Sequence, residues 1–211
     1  MPARLLPALS LLLFACGGDA DPTETGGATA PAPEPVAFAN GTSPGQGCDG
    51  VEGLLYPYVA ELGEWAAVAV KVREDATIDT VRYDLYDGPG PSQGDCTAGP
   101  AHQVRVWVGD DATPPSAPPA DSQLVDAPAG DGSRTVELIL DSPLTVADGQ
   151  FVFVAVEMLG EGSRPMCLVW CDTDYHADRN WWSYATAEPF SWGEAPCGGD
   201  LEVEVAGSST P

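Results

Sequence analysis

Positive charge is what this 211-residue chain has least of. Lysine and arginine together number 8 against 32 aspartates and glutamates, giving a formal net charge of −24. Lys71 is the sole lysine, and the arginines are scattered one at a time. Phosphate backbones are gripped by clustered cations, so nucleic acid is a poor partner for this composition. Histidine is scarce too, with His102 and His176 the only two. No His-Glu-x-x-His pair is present, and catalysis is not expected. A hydrolase would need His176, placed by Asp172 or Asp174, to reach Ser183 or Ser191 as nucleophile. Helical periodicity is missing too, and after the first sixteen residues no apolar run is long enough to span a bilayer.

What the chain does have is alternation. The plainest core element is Phe151–Met158, entered through a tight turn at Asp148-Gly149. Phe151, Phe153 and Ala155 fall on one side of such a strand, and Val152, Val154 and Val156 on the other. A strand apolar on both sides is covered on both sides, so it belongs near the centre of a sheet. Glu64–Val72, Ile78–Tyr86, His102–Gly109, Arg134–Leu140, Met166–Trp170, Trp181–Tyr184 and Leu201–Val205 also read as strands, with shorter ones at Leu54–Tyr58 and Leu144–Val146. The Gly- and Pro-rich stretches 87–100 and 110–120 separate them as long loops. The expected fold is all-β: an antiparallel two-sheet β-sandwich, jelly-roll-like, over residues 36–208.

Arg4, the apolar run Leu5–Ala15 and then Cys16 form a short export-type segment. Leu13-Phe-Ala-Cys16 resembles the lipobox of bacterial lipoproteins. That resemblance implies a signal peptide over 1–15, cleavage before Cys16 and a diacylglycerol on the Cys16 sulfur. Gly17 in the next position implies sorting to the outer membrane. Residues 16–35 carry Gly, Ala, Pro, Thr, Asp and Glu, too little apolar surface to order, and read as a flexible tether. The protein is thus expected to be anchored in the cell envelope by lipid.

Six cysteines in an exported chain favour disulfides. With Cys16 lipidated, five remain and one is left over. The pairs expected are Cys48–Cys96 and Cys171–Cys197, with Cys167 a buried thiol.

Two stretches are candidates for ligand chemistry. Asp172, Asp174 and Asp178 alternate closely enough to surround Ca²⁺, a hard cation that takes six to eight oxygens. Beside them, Trp181, Trp182, Tyr184, Phe190 and Trp192 form a dense aromatic group. Sugar rings present C–H faces that stack on indoles, while Asp, Asn and Arg bond their hydroxyls. Trp182, Trp192, Asn180, Asp178 and Arg179 are therefore the expected ligand contacts, and the remaining rings brace the loops. Trp107, flanked by inward valines, is a second, outward-facing candidate. The order of features after Val-Trp-Val resembles the jelly-roll modules of bacterial surface proteins, some of which bind glycans while others are spacers. An extracellular glycan or protein is the expected partner, with a structural role in envelope assembly as the alternative.

Overall fold

A computed structural model of the chain describes residues 32–57, 63–90, 95–126, 130–161, 163–173 and 175–210. The signal segment, Cys16, the tether as far as residue 31 and Asp174 lie outside them. In chain order the strands begin with β1 (Pro35–Ala39), β2 (Glu52–Leu55), β3 (Glu64–Lys71), β4 (Ala76–Pro89) and β5 (Asp95–Cys96). β6 (His102–Gly109), β7 (Asp121–Val125), β8 (Gly132–Val146) and β9 (Phe151–Met158) follow. The last are β10 (Gly160–Glu161), β11 (Arg164–Pro165), β12 (Cys167–Cys171), β13 (Asn180–Ser183), β14 (Trp192–Glu194), β15 (Asp200–Leu201) and β16 (Val203–Ser209). Among the described residues there is one 3-10 turn, Ala177–Arg179, and no α-helix.

The strands form two main sheets, and every strand pair in them is antiparallel. The first runs β1-β16-β4-β12-β15, with β2 attached to β12 and both β5 and β8 to β4. The second runs β14-β13-β3-β9-β6-β7. β9 lies near the middle of its sheet, flanked by β3 and β6, as its two apolar sides require. The turn before it closes where Gly149 adopts φ +85° and its N–H donates to the Val72 carbonyl (3.0 Å). A Cβ is disfavoured in that left-handed conformation, which glycine enters freely.

Alternation then sorts side chains between two layers. Val68 and Val70 of β3, Val104 and Val106 of β6, and Val152, Val154 and Val156 of β9 meet Val81, Tyr83 and Leu85 of β4. Leu138 of β8 and Val203 and Val205 of β16 complete that interior, with Met158 and Met166 filling it. Burying each such side chain contributes about 1.5–3 kcal/mol, so this layer dominates the fold's stability. The opposite side of the second sheet is covered as well. There Trp65, Ala67, Ala69, Trp107, Phe153 and Ala155 make a second cluster, with Trp181, Phe190 and Trp192 packed on its edge.

The disulfides differ from the expected pairs. Cys48 bonds Cys171, and Cys96 bonds Cys167. The reason is the position of β12, which lies between β2 and β4 and so carries its two cysteines towards different loops. Cys171 sits opposite Glu52, near the Cys48 loop, while Cys167 sits opposite Tyr86, near β5. Cys167 is therefore bridged, and among the described residues Cys197 is the free thiol, half-buried with Sγ 3.1 Å from the Gly199 carbonyl.

Candidate ligand groove

Strand register decides which of the late aromatics can meet a ligand. In β13, Trp182 pairs with Ala66 and Trp181 with Ala67. Ala66 faces the interior and Ala67 the outer layer, so the two tryptophans part company. Trp182 is 3 % exposed and belongs to the core, and Asn180, two residues earlier on the same side, is fully buried. Neither is a ligand contact, contrary to expectation. Trp107 does point outward, but its ring is 5 % exposed because the sheet's outer side is roofed.

The roof consists of two loops. Trp107 Nε1–H donates to the Ala117 carbonyl (2.8 Å) and Trp181 Nε1–H to the Ala112 carbonyl (2.9 Å). The Pro-rich segment 110–120 is thus pinned by two indoles, one at each end. The segment 184–191 is held by Arg105, whose guanidinium lies 4.8 Å from the Trp65 ring centre and 5.3 Å from that of Phe190. The same guanidinium forms an ion pair with Glu188. A planar cation can stack and bridge at once, which a lysine in that position would not do as well.

Between these loops a groove of about 420 Å³ remains open. Pro114, Pro115, Ser116 and Ala117 form one wall, and Glu188, Pro189, Phe190 and Trp192 the other, with Trp107 also lining it. Trp192 is half-buried, braced by the ring of Phe190, tilted 48° to it at 5.4 Å between ring centres. Of the five expected contacts only Trp192 lines the groove, where it is joined by Trp107, the second aromatic candidate. Arg105, Glu188 and the prolines were not singled out by sequence, although the run Pro114-Pro115 beside an outward tryptophan was the available signal.

No family model, curated protein or solved structure matches this chain.

The acidic stretch after β12 does structural work. Asp172 is exposed and accepts from the Val51 N–H (2.6 Å), and Asp178 is exposed in the 3-10 turn beside half-buried Arg179. The two cysteines near Asp172 are tied up in the Cys48–Cys171 bridge. His176 is positioned by a carboxylate, but the carboxylate is Asp200, with Nδ1 2.8 Å from Oδ2. Fully buried Asp200 also accepts from the His176 N–H (2.9 Å), Asn180 Nδ2 (2.8 Å) and Asn40 Nδ2 (3.4 Å). Gly41 passes so close that a Cβ there would stand 2.9 Å from Asp200 Cβ. This network locks the 40–41, 176–180 and 200 segments together.

The nucleophiles nearby are poor. Ser183 is fully buried and its hydroxyl accepts from Ala185 N–H (3.2 Å). Gly41-Thr-Ser43-Pro-Gly45 has the letters of a nucleophile elbow, yet its turn closes with Gln46 N–H on the Ser43 carbonyl (3.1 Å) and leads into no helix. Burial pushes the Cys197 thiol up to about 11, aided by the Asp200 and Glu194 charges, so it stays protonated at neutral pH.

Two buried groups predict the pH dependence of stability. His102 lies in the core with Nε2 2.5 Å from the Tyr83 hydroxyl and Nδ1 3.1 Å from the Pro100 carbonyl. Burial lowers its pKa from 6.5 despite the Pro100 bond and the Glu157 charge. Burial, the Asp84 and Glu52 charges and a bond to Asp84 push Glu202 from 4.5 up to about 8. Below pH 6.5 the unfolded chain binds the His102 proton more readily, so stability falls as pH falls. Between pH 4.5 and 8 the folded chain holds the Glu202 proton more tightly, so stability falls as pH rises. The two slopes oppose one another from about 4.5 to 6.5. Between 6.5 and about 8 the Glu202 slope is no longer opposed by that of His102. Denaturant unfolding in chelator-containing buffer is expected to show a plateau and then this decline. Glu202→Gln flattens the decline, and an unchanged slope in that variant rejects the assignment.

Proposed function

We propose that the protein is a lipid-anchored envelope lipoprotein whose β-sandwich binds an extracellular glycan in the groove between segments 113–117 and 188–192. The observation that carries this reading is the groove itself. Trp192 offers a half-buried indole face, and Pro114, Pro115 and Phe190 offer apolar walls. Glu188 and Ser116, both exposed, supply hydroxyl-bonding groups at the rim. An aromatic face beside a few polar groups is the surface a sugar ring needs, since its C–H side is apolar and its edge is not. Lipid on Cys16 anchors the module at the membrane surface, and the excess of 32 Asp and Glu over 8 Lys and Arg in the chain keeps it soluble there.

A glycan array probed with the wild-type chain, followed by titration of the strongest binder against Trp192→Ala, tests this proposal. The variant is expected to lose at least about tenfold in affinity, or roughly 1.4 kcal/mol, with its fold intact. No glycan bound, or equal affinity in the variant, removes the proposal and leaves the envelope-assembly role.

A further inference from the structure

The first sheet carries a separate cavity of about 210 Å³, lined by Gly45, Glu52, Asp84, Ser133, Thr135 and Glu202 among others. Asp84 lies on β4 directly opposite Thr135 of β8, and Glu202 lies at the junction of β15 and β16. Asp84 and Glu202 are each only 3 % exposed. Asp84 Oδ2 accepts from the Gly45 N–H (2.8 Å) and the Ser133 hydroxyl (3.3 Å). Asp84 Oδ1 and Glu202 Oε1 are buried and receive no N–H or hydroxyl from other residues, the two carboxyl groups having only each other to share a proton with. Among the described residues neither carboxylate has a cationic partner.

Buried carboxylate oxygens without a donor or counter-charge are costly, and two adjacent ones repel each other as well. Something positive belongs between them. The side chains around the cavity offer oxygen alone: carboxylates from Asp84, Glu202 and Glu52, and hydroxyls from Ser133 and Thr135. Gly45, at φ +74°, keeps that space clear, since a Cβ there would come within 3.2 Å of Thr135 Oγ1. An all-oxygen set selects a hard divalent cation over zinc or copper. Mixed carboxylates and hydroxyls in an uneven cavity suit the flexible shell of Ca²⁺ better than the strict octahedron of Mg²⁺.

We propose that this cavity binds one Ca²⁺ ion, with Asp84 Oδ1 and Glu202 Oε1 as direct ligands. The Ser133 and Thr135 hydroxyls and water complete its shell, and Glu52, exposed on β2, closes the mouth. The ion ties the 41–50 loop, β4, β8 and the β15–β16 junction to one point.

Calorimetric titration of the chelator-stripped full chain with CaCl₂, run beside MgCl₂, tests this site. One Ca²⁺ site per chain is expected, in the range up to millimolar found in extracellular modules, with Mg²⁺ weaker. Glu202→Gln and Asp84→Asn keep side-chain size and are expected to abolish the isotherm, while Asp178→Asn leaves it unchanged. Circular dichroism of each variant confirms that it folds. Thermal unfolding gives an independent readout: Ca²⁺ raises the Tm of the wild type and leaves that of Glu202→Gln where it was. No heat and no Tm shift would overturn the proposal, leaving a proton alone between the two carboxylates. Binding lost in Asp178→Asn but kept in the other two variants would also overturn it, by placing the ion in the 172–178 loop.

Discussion

Removing the Cys96–Cys167 bridge, by Cys96→Ser together with Cys167→Ser, is expected to lower the unfolding free energy by about 4–5 kcal/mol. The bridge spans 71 residues and Cys48–Cys171 spans 123, and the entropy denied to the unfolded chain grows with the logarithm of that span. Removing Cys48–Cys171 is therefore expected to cost a similar amount. A domain of ordinary stability has about 5–15 kcal/mol in all, so either loss consumes a large share. Cys197→Ser is the control: the thiol is half-buried and unbridged, so its replacement shifts stability by only about 0.5 kcal/mol or less. Denaturant midpoints of the three variants separate the pairing seen here from Cys48–Cys96 with Cys171–Cys197. Under that other pairing, Cys197→Ser would be among the most damaging changes.

Trp182→Ala is expected to cost about 3–5 kcal/mol, the usual price of emptying a core of one large aromatic. The ring is 3 % exposed and lies on the same side of its sheet as Ala66 and Val68, beneath exposed Tyr184 at 6.4 Å between ring centres. The cavity left behind cannot collapse without moving β13, which is tied to β3 and β14 on either side. Trp192→Ala, by contrast, removes a half-buried ring at the groove wall and is expected to change binding far more than stability. Chemical unfolding of the two variants side by side checks this division. A Trp182→Ala protein as stable as the wild type would mean that the indole is not in the core.

Alternation made most of the fold legible. β6 and β9 coincide with the stretches read from sequence, because each has an unbroken period of two. β8 is less legible. Read as Arg134–Leu140 and a separate Leu144–Val146, it is one strand over Gly132–Val146, whose two parts both pair with β4 on either side of a register shift that leaves residues 140–143 without a β4 partner. β1 was missed outright. Its partner β16 joins Pro35 to Ser208, and no local pattern announces a pairing between the two ends of a domain. The site was harder still. Alternation told that Trp107 points away from the valines, but not that a proline loop would fold over it. It equally could not place Trp182 inside, since that depends on the register between β13 and β3. Asp200, Glu202 and Asp84 carry no local signature, and only the crossing of distant segments makes them neighbours.

The location of the groove is open to a direct measurement: hydrogen–deuterium exchange of the wild-type chain with and without the strongest glycan from the array. Protection is expected at the amides of Thr113, Ser116, Ala117, Glu188, Phe190, Ser191 and Trp192, with little change at residues 175–184. Protection confined to 175–184, or none at the two loops while the glycan is bound, would contradict the account.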